Sequence, residues 1–271
     1  IQKQFFKENN IPTAAFRLFK NKEEILSADL PFPYIQKLRR DGYDGRGVNV
    51  IKNKSDLEKA FTEPSLVEDM IDFDKELSVI VARNIDGETK TFPCVEMEFN
   101  PEANLVEYLI SPSTLNPETL RKADKLAIKV AEDLNIVGIL AVELFLSKTG
   151  EILVNEIAPR PHNSGHQTIE GNYTSQYEQM LRAIFNLPLG DTRTLGNAVM
   201  INLLGEKGYE GPAEYEGLND ILKMEGVYIH LYGKKITKPF RKMGHVTIMD
   251  DDRAKAIEKA RLVQKIIKVK S

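Results

Sequence analysis

Hydrophobic and polar residues alternate strongly over residues 66–110, and a period of two predicts β-strands. Segments 77–83, 91–95 and 105–110 read as antiparallel strands, separated by turns at Asp86-Gly87 and Asn100-Pro101. The period then becomes helical. Asn116-Pro117-Glu118 supplies an N-cap, a proline at the first helical position and an acid in the first turn. Leu120, Ala123, Ala127, Val130, Ala131 and Leu134 follow on one helical face. Further helices are predicted over 3–9, 21–26, 176–185 and about 251–267, and over 55–61, where Ser55 and Glu58 form a capping box. Strands 34–38 and 48–51 flank a polar, glycine-rich loop, and 139–146 with 152–157 form a hairpin. Strands 198–203, 227–232 and 245–249 follow a polar, irregular stretch at 158–175 and a linker at 189–193. This mixture argues an α+β architecture with mostly antiparallel sheets.

Composition narrows the class. At 271 residues with 42% hydrophobic content, the chain can bury a sizeable core in one large or two smaller domains. Lys+Arg 37 against Asp+Glu 40 gives a net charge of −3, which lacks the basic excess of a nucleic-acid binder. The one cysteine, Cys94, excludes an intrachain disulfide and a Cys-based zinc site, and fits a reducing, cytoplasmic setting. No apolar run approaches the roughly 20 residues that span a bilayer. The first residues carry neither a signal-peptide pattern nor an initiator Met, so the chain reads as a fragment or segment of a larger protein.

Three stretches carry chemistry. In the hairpin, Glu143 and Glu156 each sit inside an otherwise apolar strand. A loop of Lys148 to Glu151 pairs Ser147 with Ile152, and that register sets Glu143 opposite Glu156 on one face. Like charges in that arrangement are destabilising, more so when buried, and a shared divalent cation resolves both costs. With Asn155 beside them, the hard oxygen donors suit Mg²⁺ completed by a polyphosphate; a wet sheet face with solvated acids is the bland alternative. Second, Lys37 precedes Gly42-Tyr43-Asp44-Gly45-Arg46-Gly47. Such a loop lets backbone N–H groups approach phosphate oxygens, although it is not a Walker A pattern and an unliganded hairpin loop is equally compatible. Third, Ala158-Pro159-Arg160-Pro161-His162-Asn163-Ser164-Gly165-His166 packs anion-binding and hydrogen-bonding side chains directly after the second acid. The cluster Arg241-Lys242-Met243-Gly244-His245 reads on spacing alone as a solvated basic turn.

These stretches resemble the ATP-grasp superfamily, and within it the N5-carboxyaminoimidazole ribonucleotide synthetase family. Gln2-Lys3, Ile11-Pro12-Thr13-Ala14, the glycine loop, the run from Asn155 to His166, Val199–Leu203 and Lys242–His245 carry the likeness. It implies an ATP-grasp domain over 1–190, with subdomains of about 1–70 and 71–190, and a small, mostly β domain over 191–271. The likeness also implies that the N-terminal domain carried by the family falls outside these 271 residues. The resemblance further implies that Lys37 and Gly42, Tyr43, Asp44, Gly45, Arg46, Gly47 and Val48 contact ATP phosphates. Glu68, Asp69, Met70 and Ile71 would read adenine and Glu76 would hold the ribose. Glu143 and Glu156, with Asn155 beside them, would bind Mg²⁺. Tyr43, Asp44, Arg46, Arg160, His162 and Lys242 match positions for 5-aminoimidazole ribonucleotide and bicarbonate, and Arg241 is a further candidate for the ribonucleotide phosphate. Glu96 stands where some relatives carry His. The activity implied is ATP-dependent carboxylation of 5-aminoimidazole ribonucleotide through carboxyphosphate, in a cytoplasmic homodimer that uses neither nucleic acid nor membrane. A formate-dependent transformylase, a biotin carboxylase type of ligase and a non-catalytic nucleotide-binding fragment remain alternatives.

Overall fold

The structure is a computed structural model that describes residues 2–40, 47–100 and 105–271. In chain order the elements are α1 (Gln2–Glu8), β1 (Phe16–Phe19), α2 (Lys22–Ser27), β2 (Tyr34–Leu38), β3 (Val48–Ile51), β4 (Ser65–Asp69), β5 (Phe73–Arg83), β6 (Thr89–Thr91), β7 (Val95–Asn100), β8 (Leu105–Ser111), α3 (Pro117–Asp133), β9 (Gly138–Ser147), β10 (Ile152–Ala158), α4 (Thr168–Gly171), α5 (Gln176–Ile184) and β11 (Asn197–Leu204). Then follow β12 (Gly211–Pro212), β13 (Glu214–Glu216), α6 (Leu218–Ile221), β14 (Val227–Leu231), β15 (Ile236–Thr237), β16 (Lys242–Asp250), α7 (Arg253–Ile266) and β17 (Lys268–Lys270).

Three helices end alike. Asn10, Asn135 and Asn186 have φ of 52°, 48° and 54°, the left-handed conformation that asparagine tolerates after a helix. At each, the next residue's N–H returns to a carbonyl five residues back: Ile11 to Phe6, Ile136 to Ala131 and Leu187 to Arg182. The following apolar residue then folds back onto its helix, and the chain turns sharply into the next element.

A four-stranded sheet in the order β1-β4-β2-β3 buries Phe19, Tyr34, Ile51 and Val67 against Ile25 of α2. Its opposite face presents Lys37 and Glu68, since Glu68 pairs with Ile35, two residues before Lys37. A nine-stranded sheet runs β10-β9-β5-β7-β8-β11-β16-β14, with β6 also on β5. The register divides its faces. One face buries Leu77, Val79, Val81, Val142 and Leu144 under α3, and further along Ile110, Val199, Ile201 and Val246 under α7. The other carries Glu76, Ser78, Glu143 and Glu156, then Met97, Leu109, Met200 and Asn202. The β8–β11 ladder makes the sheet continuous through residues 105–204.

Local expectations are corrected in four places. Segment 54–59 is a 3₁₀ turn capped by Asn53, not a helix capped by Ser55. The strand expected at 91–95 breaks at Pro93, which has no N–H for a ladder, so β6 ends at Thr91 and β7 starts at Val95. The stretch at 158–175 contains a 3₁₀ turn, Asn163–Gly165, and α4. The expected linker at 189–193 is packed: Leu189 is buried, and Gln179 holds both polar groups of Gly190.

Candidate active site

Glu143 and Glu156 are paired residues on β9 and β10 and share a face. The path to that pairing differs from the sequence reading. Ile152 pairs with Leu146, not Ser147, and a β-bulge between Val154 and Glu156 restores Glu156 opposite Glu143. Glu156 is exposed, whereas both acids were expected buried; the Glu143 side chain is 14% exposed. Burial, then Glu156 and Glu76, pushes the Glu143 carboxyl up to about 8. Burial raises Glu76 to about 7, with Lys37 opposing and Glu156 adding to the rise. Three carboxylates thus repel one another at one end of the sheet.

The cations around them come from three places. Lys37 Nζ donates to Asn155 Oδ1 at 2.9 Å and is ion-paired with Glu68. Lys3, on α1, meets the same Glu68 carboxylate at 2.9 Å and donates to Thr13 Oγ1 at 2.7 Å. Burial opposes ionisation of Glu68, yet the Lys37 and Lys3 ammoniums hold it below the ordinary carboxylate range. Lys242, at the start of β16, acts on both Glu143 and His166. Edge contacts fix the frame: Gln2 exchanges two hydrogen bonds with Ile157, and Thr13 Oγ1 donates to the Val154 carbonyl at 2.6 Å.

The strap from Pro159 to Gly171 lies over this face. Ser164 Oγ is 2.7 Å from Ser78 Oγ and 2.9 Å from His162 Nδ1, and His162 Nε2 lies 3.5 Å from Glu143 Oε1. Asn163 and Asn202 exchange amide hydrogen bonds of 2.8 and 3.1 Å, which ties the strap to β11. His166 stacks on His245 at 4.7 Å between ring centres, and His245 on His230 at 4.5 Å. His230 Nε2 is 2.7 Å from Glu170 Oε1. All four histidines of the chain therefore lie in or beside the strap. Burial lowers His166 to about 4 and His245 to about 3, with Lys242 and Arg160 adding to the effect at His166. The half-buried His166 and the buried His245 are both neutral at physiological pH.

Of the residues singled out from the sequence, Lys37, Glu68, Glu76, Glu143, Asn155, Glu156, Arg160, His162 and Lys242 converge on this end of the sheet. Asp69 ends β4, and Met70 and Ile71 lie in the connection to β5, with Asp69 and Met70 exposed. Gly47 has φ of 81°, and Val48 pairs with Lys37 at the base of the glycine loop. Gly42, Tyr43, Asp44, Gly45 and Arg46 lie outside the described residues. Glu96 occupies the opposite face: it pairs with Leu77, under α3, and is buried against Lys75 at 2.7 Å, Arg253 at 3.2 Å, Ser113 Oγ and the Thr114 N–H. Arg241 donates to the Ile236 carbonyl at 2.6 Å. Sequence reasoning gave no role to Lys3, Ser78, Gln176, Glu170 or His230. Lys3 had a signal, a cation on the inward side of a short amphipathic helix; the others are ordinary polar residues until the fold assembles them.

The ATP-grasp domain family matches residues 4–177, and the phosphoribosylaminoimidazole carboxylase C-terminal domain family matches residues 198–259. The Aquifex aeolicus N5-carboxyaminoimidazole ribonucleotide synthase is 36% identical over 275 residues, covering 98% of this chain and 72% of that protein. The chain belongs to the ATP-grasp family of N5-carboxyaminoimidazole ribonucleotide synthases. The Bacillus subtilis synthase is 41% identical over 254 residues, 92% of this chain and 65% of its own length; the chain thus spans just under two thirds of that family member. The crystal structure of the Thermotoga maritima synthetase superposes with a TM-score of 0.89 at 47% identity, covering 99% of this chain and 71% of that one. That of the Aspergillus clavatus enzyme, in complex with ADP and 5-aminoimidazole ribonucleotide, superposes with a TM-score of 0.85 at 28% identity over 97% of this chain and 72% of that one. No helix among the described residues is long and apolar enough to cross a membrane.

Proposed function

We propose that this chain carries the ATP-dependent carboxylation of 5-aminoimidazole ribonucleotide by bicarbonate. The carrying observation is the convergence of the Glu143–Glu156 pair with Lys37 and Asn155 on one side and the Arg160–His162 strap on the other. Among the described residues no group of three or more His, Cys, Asp or Glu forms a closed metal site. Two carboxylates beside Lys37 and Asn155 nonetheless suit Mg²⁺, which keeps water and substrate phosphate oxygens in its shell. The raised Glu143 and Glu76 point the same way, because burial first and the neighbouring acids second disfavour their charged forms, and a bound cation offsets both. Mg²⁺, when bound, neutralises the charge that develops on the transferred phosphoryl group.

In this reading a bicarbonate oxygen attacks the γ-phosphorus of ATP, the bond to ADP breaks, and carboxyphosphate forms. The exocyclic amine of the ribonucleotide then attacks the carboxyl carbon, phosphate leaves, and the amine proton is lost. Lys37 and the glycine loop hold the phosphates, and Asp69, Met70, Ile71 and Glu76 hold the nucleoside. Arg160 receives bicarbonate through its planar fork, and Lys242 carries positive charge from β16 toward the ribonucleotide. Glu143 and Glu156 are the metal ligands. A cytoplasmic homodimer belongs to the same reading, and sedimentation of the purified protein tests the dimer. ADP release should rise with 5-aminoimidazole ribonucleotide and bicarbonate together, but not with formate or biotin; stimulation by either of the latter transfers the chain to another ATP-grasp ligase. Glu156→Gln should lose MgATP binding in isothermal titration, and an unchanged affinity and enthalpy would remove the metal assignment.

A further inference from the structure

Gln176, the first residue of α5, is fully buried where the strap meets that helix. Its Oε1 accepts from the His162 N–H at 2.9 Å, and its Nε2 donates to the His162 carbonyl at 2.8 Å. One side chain thus pairs both backbone polar groups of His162, as a neighbouring strand would. These contacts also settle which end of the amide is oxygen. Nε2 lies 3.0 Å from His166 Nδ1. An amide nitrogen only donates, so His166 Nδ1 accepts, and the neutral ring carries its proton on Nε2. The Tyr177 hydroxyl, 3.1 Å from the same nitrogen, is then a second donor.

The surroundings are built to admit this amide. A Cβ at Gly165 would lie 2.6 Å from Gln176 Oε1 and 2.7 Å from its Cδ, so only glycine lets the strap come this close. The Gln176 N–H donates to Thr168 Oγ1 at 2.8 Å, and that hydroxyl donates to the Gly165 carbonyl at 2.6 Å.

We propose that Gln176 is a positioning residue of the site: a single side-chain amide fixes the backbone of His162 and the protonated nitrogen of the His166 ring. The assignment rests on the reading that the strap borders the carboxylation site. Gln176 acts through the two histidines. The Nδ1 contact and the stack on His245 together orient the His166 ring.

The test uses ¹⁵N NMR of histidine rings in the whole chain, whose four histidines give resolvable ring signals, with His166 assigned by its loss in His166→Gln. Wild type should show a pyridine-type Nδ1 and a pyrrole-type Nε2 at His166. In Gln176→Glu, which keeps the shape and replaces the donor with an acceptor, the proton should move to Nδ1 or the ring should become doubly protonated. Steady-state turnover with ATP, bicarbonate and 5-aminoimidazole ribonucleotide should show kcat lowered by on the order of 100-fold, the scale of a small misplacement in an active site, while KM for ATP stays close to wild type. Gln176→Met, which fills a similar volume but makes no hydrogen bond, should share the kinetic defect. An unchanged His166 signal in Gln176→Glu overturns the proposal, as does a changed signal with unchanged kcat. A wild type with the expected ring state but no turnover sinks the carboxylation reading and the catalytic half of the assignment, and leaves the tautomer assignment standing.

Discussion

Replacing Glu143 with glutamine should make the metal-free protein more stable and less dependent on pH. Burial, then the neighbouring Glu156 and Glu76, pushes this carboxyl from the ordinary 4.5 up to about 8. The unfolded chain ionises it near 4.5, so the folded state holds the proton more tightly over that interval. The sign follows: stability is greatest below 4.5 and is lost as pH rises toward about 8. Each unit of pH between those limits costs roughly 1.4 kcal/mol through one group, or about 3 kcal/mol by pH 7. The glutamine amide has the same shape as the carboxyl and no proton to lose. Urea unfolding in EDTA should therefore give similar stabilities for Glu143→Gln and wild type near pH 4.5, diverging in favour of the variant as pH rises. The nucleotide response should run the other way, with MgATP raising the melting temperature of wild type and not of the variant. A stability difference that stays flat across this pH range would refute the account of a Glu143 carboxyl raised by burial and by its acidic neighbours.

Lys37→Met should cost about 3 kcal/mol in urea unfolding, the scale of breaking a buried ion pair, because Glu68 keeps only Lys3; it should also weaken ATP binding in titration. Glu96→Ala should destabilise by a similar amount, since Lys75 and Arg253 lose a shared buried carboxylate. Its KM values should stay at wild type because Glu96 lies on the face of the sheet opposite Glu76 and Glu143, and a raised KM for ATP would place it with the nucleotide site instead.

What could be read from the sequence was whatever repeats locally. Strands β2 and β3 begin and end where their apolar pattern does, and the α3 N-cap is Asn116, whose side chain accepts from the Thr119 N–H at 2.9 Å. The short pairs β12–β15 and β13–β17 escaped because two or three residues carry no period. The role of Glu96 was illegible for another reason. Neighbours in a strand face opposite sides, so Lys75 and Glu76 belong to different surroundings, and only the β5–β7 register says which side Glu96 shares. The histidine column is likewise long-range: His230 and His245 lie on paired strands, and His166 reaches them from the strap.

The acid pair is the instructive case, because the sequence argument reached the right neighbours through a loop miscounted by one residue. In an unbroken strand Asn155 and Glu156 would point to opposite faces, and only one could join the site. The bulge sets two residues of β10 against one of β9. It thereby lets Asn155 reach Lys37 at 2.9 Å while Glu156 stays opposite Glu143. The requirement that an amide and a carboxylate serve one site from consecutive positions is what the irregularity satisfies. A local count of loop residues has no access to it, and only the pairing of the two strands shows it.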